Sequence, residues 1–105
     1  MSVVERVGPL ADLPEGTAVR LEIGDHVISV VRIGDDVYAI GDRCSHQDVS
    51  LSEGDVDCDD KLIECWKHGS AFSLETGEPE SLPATKPVPV YEARVVDGQI
   101  EVVVP

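Results

Sequence analysis

Residues 22–41 read EIGDHVISVVRIGDDVYAIG. Short Val- and Ile-rich runs are separated by Gly24-Asp25 and by Gly34-Asp35-Asp36, residues that favour tight turns between strands. The stretch therefore predicts a β meander, with strands at His26–Arg32 and Val37–Gly41 following one at Ala18–Ile23. Further along, YEARVVDGQIEVVV (residues 91–104) alternates apolar and polar residues on both sides of Asp97-Gly98, the signature of a hairpin between Tyr91–Val96 and Gln99–Val104. Additional strands are expected at Ser2–Val7, Lys61–Cys65 and Ala71–Ser73. No window holds an apolar stripe of 3.6-residue period for the dozen residues of a helix, so the fold class is all-β.

Two segments break this rhythm. Residues 42–60 are polar, with isolated apolar residues, and are too long for a structureless loop in a compact domain. They read as a functional excursion ordered by something other than an apolar core. Residues 77–91, GEPESLPATKPVPVY, carry four prolines that fix φ and remove ladder donors, which predicts a stiff extended loop before the last hairpin.

Length and composition narrow the function classes. A chain of 105 residues suits one domain (1–105) and leaves no room for a second catalytic lobe. Its 21 Asp and Glu against 8 Lys and Arg give a formal charge of −13, which disfavours nucleic acid and anionic membranes as partners. No apolar run reaches the roughly 20 residues that span a bilayer. Three cysteines cannot all pair, and the first residues do not resemble a secretory leader, so a cytoplasmic location is expected.

The excursion and its flanks hold all three cysteines and two of the three histidines. Cys44 and His46 stand two apart, Cys65 and His68 three apart, and 18 residues separate the inner members of the two pairs. Each pair falls where a β framework turns. Two loop tips facing each other would offer two thiolates and two imidazoles to one inorganic centre.

C-x-H followed by C-x-x-H-G, with a proline-bearing loop downstream, resembles the Rieske 2Fe-2S proteins, and in particular their small soluble ferredoxins. The flanking VYAIGDRCSH, IECWKHGSAFSLETGEP and YEARVVDGQIEV resemble those ferredoxins in the same order, so the likeness covers most of the chain. It implies a Rieske-type antiparallel β sandwich with a cluster-binding subdomain at about residues 42–73, and one [2Fe-2S] cluster per chain. Cys44 and Cys65 would bind the inner iron, His46 and His68 the outer. Replacing two thiolates by neutral imidazoles lowers the negative charge of the centre and raises its reduction potential relative to four-cysteine ferredoxins.

The resemblance also implies a place in a redox chain: a monomeric one-electron carrier, no enzyme itself, taking electrons from a flavin-dependent ferredoxin reductase and passing them to a terminal ring-hydroxylating oxygenase or another redox acceptor. A Rieske ferredoxin of iron-sulfur cluster assembly, and the small subunit of an assimilatory nitrite reductase, are the alternatives within the fold. Tetrahedral zinc is the alternative for the ligands, since two Cys and two His suit it; zinc modules, however, usually place Cys with Cys and His with His.

Departures from the high-potential relatives are informative. The cysteines of their cross-linking disulfide are replaced by Val49 and Lys67, and the tyrosine that donates a hydrogen bond toward the cluster is replaced by Phe72, while the serine donor is kept as Ser70. A low to intermediate potential follows. Trp66, between two ligands, is expected to pack over the cluster loop. Cys58 reads as an incidental turn thiol, and His26 as an ordinary strand residue.

Overall fold

The structure is a computed structural model that describes residues 3–44, 49–66, 69–80 and 86–104. Nine strands follow one another: β1 Val3–Pro9, β2 Ala18–Ile23, β3 His26–Ile33, β4 Asp36–Gly41, β5 Asp55–Asp57, β6 Leu62–Glu64, β7 Ala71–Ser73, β8 Val90–Val96 and β9 Gln99–Val104. Every pairing is antiparallel. Six strands form one sheet in the order β1-β9-β8-β4-β3-β2, and the other three form a second, β5-β6-β7.

The hairpins form where the turn chemistry places them. Gly24 and Gly34 take φ +60° and +61° in the two-residue turns of the meander, while Asp97 and Gly98 take φ +51° and +75° between β8 and β9. Mirror-type turns of this kind match the twist of the strands they join. At the start of the chain, β1 runs through Gly8 to Pro9 because a register shift between Arg6 and Gly8 absorbs the break that Gly-Pro suggests. Proline is tolerated there because β1 is an edge strand.

The six-stranded sheet folds over on itself. Its β4–β8 junction pairs Ala39 with Tyr91 and Ile40 with Val90, and the Gly41 N–H donates to the Pro89 carbonyl at 2.8 Å. Ile28, Val30, Val37 and Ala39 thereby meet Ile100, Val102 and Val104 in one buried cluster. The opposite faces of β3 and β4 are buried as well, since Val31 and Ile40 join Leu51, Ile63, Phe72, Leu74 and Val88 in a second cluster. Covering on both faces explains why β3 reads as a nearly continuous apolar run, whereas β8 and β9 alternate.

Residues 42–60 differ from the sequence expectation. Leu51 is completely buried in the second cluster, Val49 and Val56 pack against it, Leu51–Glu53 form a 3₁₀ turn, and Asp55–Asp57 are strand β5. An apolar anchor therefore does order the excursion over its described residues 49–60. Of the proline-bearing segment, Val88 is buried and its N–H donates to the Gly77 carbonyl at 2.8 Å; residues 81–85 lie outside the described set.

Candidate metal centre

Two loops approach each other across the second apolar cluster. The first leaves β4 at Gly41 and is closed by the Arg43–Ser50 bridge and by the Cys44 N–H donating to the Val49 carbonyl at 3.0 Å. The second leaves β6 at Glu64 and closes tightly: the Cys65 N–H donates to the Ser70 carbonyl at 2.7 Å, and the Gly69 N–H to the Cys65 carbonyl at 2.9 Å. Gly69 sits at φ +75°, a conformation that favours glycine, so the turn just after the second histidine needs this residue.

Cys44 and Cys65 belong to one buried cluster, at 3% and 0% exposure. None of the three cysteines, all among the described residues, is in a disulfide, so no such bond competes for these two. Two unoxidised thiols in a single apolar cluster, each opening a loop, are a donor set that fits a thiolate-held metal centre. His46, His68 and Lys67 lie outside the described residues. Phe72 and Ser70 are both buried beside the thiols: Phe72 shares their cluster and pairs with Ile63 on β6, while Ser70 closes the Cys65 turn.

Trp66 is 54% exposed, so more than half of its surface packs on nothing. Cys58 lies in the β5–β6 turn, which Asp57 shapes by accepting the Asp59 and Asp60 N–H groups at 3.1 and 3.2 Å. His26 opens β3 and meets Tyr91 at 3.1 Å between ring nitrogen and hydroxyl; burial pushes the Tyr91 phenol up from its ordinary value. The single Lys61 of the acidic stretch lies 6.0 Å from the Tyr38 ring centroid, and its pKa is raised chiefly by hydrogen bonding to Tyr38.

Asp42 was not legible as a site residue. It is 2% exposed, and its carboxylate accepts the Ser50 hydroxyl at 2.5 Å and the Ser52 N–H at 3.0 Å, spanning the first loop. A Gly-Asp pair at a strand end reads as turn chemistry, and no spacing rule connects Asp42 to Ser50 and Ser52.

Residues 4–92 match the family model of the Rieske [2Fe-2S] domain. The chain belongs to the Rieske family. Among curated relatives, the 3-phenylpropionate/cinnamic acid dioxygenase ferredoxin subunit of Escherichia coli K12 is 43% identical over 97 residues, covering 92% of this chain and 90% of the relative. Among solved structures, the ferredoxin of carbazole 1,9a-dioxygenase from Nocardioides aromaticivorans superposes with a TM-score of 0.91 at 35% identity, covering 94% of this chain and 95% of the other. A chain from a complex of reduced oxygenase and oxidised ferredoxin in carbazole 1,9a-dioxygenase gives 0.86 at 40% identity, covering 94% and 91%. A Rieske domain carries one [2Fe-2S] cluster, and the relatives are electron-transfer subunits, not catalytic ones. Among the described residues, no helix is long and apolar enough to cross a membrane.

Proposed function

We propose that this Rieske protein is the ferredoxin subunit of an aromatic-ring-hydroxylating oxygenase system, receiving electrons from a flavin-dependent reductase and delivering them singly to the terminal oxygenase. The observation that carries the reading is the burial of Cys44 and Cys65 in one apolar cluster, within a chain that matches dioxygenase ferredoxin subunits over nearly its whole length. Cys44, His46, Cys65 and His68 hold the cluster, and residues 42–73 form the part that binds it. When bound, the cluster supplies reversible uptake of one electron.

The protein's own residues do the rest. Cys44 and Cys65 enter from the apolar cluster and keep water from the inner side, while Phe72 fills the space beside them without adding a donor. Ser70 closes the second ligand turn through its carbonyl. No residue carries out bond chemistry on a substrate.

The docking face is acidic. Glu53, Asp55, Asp57, Asp59, Asp60 and Glu64 are all exposed, and Asp55 stands directly opposite Glu64 in the β5–β6 pair. Like charges placed opposite each other destabilise a strand pair, so a basic partner surface would relieve that repulsion. The exposed Trp66 lies two residues beyond Glu64 and offers an apolar contact at the same edge. Stopped-flow transfer from the reduced protein to a ring-hydroxylating oxygenase should be fast at low salt and should slow as ionic strength rises, since the screening length falls to about 8 Å at physiological salt. Transfer to the oxygenase no faster than to a cluster-assembly or nitrite-reducing partner would contradict this reading.

A further inference from the structure

A buried carboxylate is costly to retain unless its oxygens accept hydrogen bonds and a cation balances its charge. Asp42 meets both conditions. Oδ1 accepts the Ser52 N–H at 3.0 Å; Oδ2 accepts the Ser50 hydroxyl at 2.5 Å and faces Arg20 Nε at 3.4 Å. The Ser50 and Ser52 hydroxyls are themselves 2.7 Å apart, so with Ser50 donating to Asp42, Ser52 donates to Ser50. The main chain of Asp42 is tied on both sides as well: its N–H donates to the Val27 carbonyl at 3.0 Å, and its carbonyl accepts the Leu51 N–H at 2.6 Å.

One residue therefore joins β3, the outgoing end of β4 and the return of the first ligand loop. It also caps the 3₁₀ turn Leu51–Glu53, whose own preceding residue, Ser50, supplies no side-chain cap. Cys44 is two residues further on, so its Cα lies within about 7 Å of that of Asp42. Arg20 reaches the carboxylate from the edge strand β2, with its side chain half exposed and its other nitrogen 3.1 Å from Glu22.

We propose that the Arg20–Asp42 pair is a positioning and charge-balancing device for the metal centre: Asp42 holds the two ends of the Cys44 loop in register, and Arg20 offsets the negative charge that Asp42 brings close to the centre. The proposal rests on Cys44 being a cluster ligand. Reduction adds negative charge, so an uncompensated carboxylate nearby opposes it and an uncompensated guanidinium favours it. Arg20→Gln should shift the reduction potential downward and Asp42→Asn upward. The double variant should lie between them, near the parent value. A residue that only braces the loop would leave the potential unmoved in Arg20→Gln.

The test is voltammetry of the cluster-loaded full chain and these three variants at one pH, with cluster release into a chelator followed by visible absorbance. Opposite shifts, together with several-fold faster release from Asp42→Asn, are the expected result. Shifts of the same sign, or a potential unchanged in Arg20→Gln, would overturn the proposal. Should Asp42→Asn fail to fold, Arg20→Gln alone still decides, because Arg20 is half exposed at a sheet edge. A parent protein that purifies without iron would overturn the ligand reading itself, an outcome distinct from a cluster present but insensitive to Arg20.

Discussion

Cys65→Ser protein should purify without iron and without visible colour, while Cys58→Ser should keep the full cluster content of the parent. Cys65 is completely buried in the apolar cluster that also holds Cys44, whereas Cys58 is partly exposed in the β5–β6 turn. Losing a ligand forfeits the free energy that metal binding contributes to the folded state. That loss is expected to be local. Leu51 and the Asp42 network anchor residues 49–54 independently of the metal, so far-ultraviolet circular dichroism of Cys65→Ser should retain the β signature while thermal stability falls. Iron analysis and dichroism on the same preparations check both halves. Full iron in Cys65→Ser would remove it from the ligand set.

Gly54→Ala should damage the fold and the metal centre together. Gly54 has an ordinary backbone conformation, with φ −88°, so it is not kept for conformational freedom. It is kept for space: a Cβ there would collide with the Glu64 carbonyl oxygen, come within 2.9 Å of the Glu64 carbonyl carbon and meet the Leu51 oxygen at 3.3 Å. These are backbone atoms and cannot swing away. Relief requires moving β6 away from the 3₁₀ turn, and Glu64 immediately precedes Cys65. Overpacking of this severity costs about 3 kcal/mol, a fall in melting temperature of roughly 12–24 °C for a domain of this size. Calorimetry measures the fall, and the absorbance per protein should drop in parallel. A melting temperature within a few degrees of the parent would show that β6 can shift without cost.

What the sequence made legible was whatever has a local signature. Asp97-Gly98 and the two glycine turns of the meander act within a few residues, and the alternation in β8 and β9 follows from their being covered on one face. The motif of the proposed ligands could be read for the same reason, since spacing within each loop is a local property; the structure brings Cys44 and Cys65 into one cluster, while His46 and His68 lie outside the described residues. Non-local features stayed hidden. Strand β5 is Asp-Val-Asp, which carries almost no β preference of its own and exists because it pairs with β6. Leu51 is one apolar residue without periodicity, buried because the 3₁₀ turn sits against β2, β3 and β6. Asp42 and Arg20 are 22 positions apart in the chain and meet only once β2, β3 and β4 are assembled.

Two cysteines and two histidines of this chain are proposed to hold one [2Fe-2S] cluster. Electron paramagnetic resonance of the dithionite-reduced protein, natively purified after growth with ¹⁵N-labelled histidine, tests it most directly. The predicted spectrum has an average g below that of four-cysteine ferredoxins, with hyperfine coupling to two histidine nitrogens that is lost one nitrogen at a time, or with the whole cluster, in His46→Cys and His68→Cys. Stoichiometric zinc with no iron, or a spectrum without histidine nitrogen coupling, would contradict it.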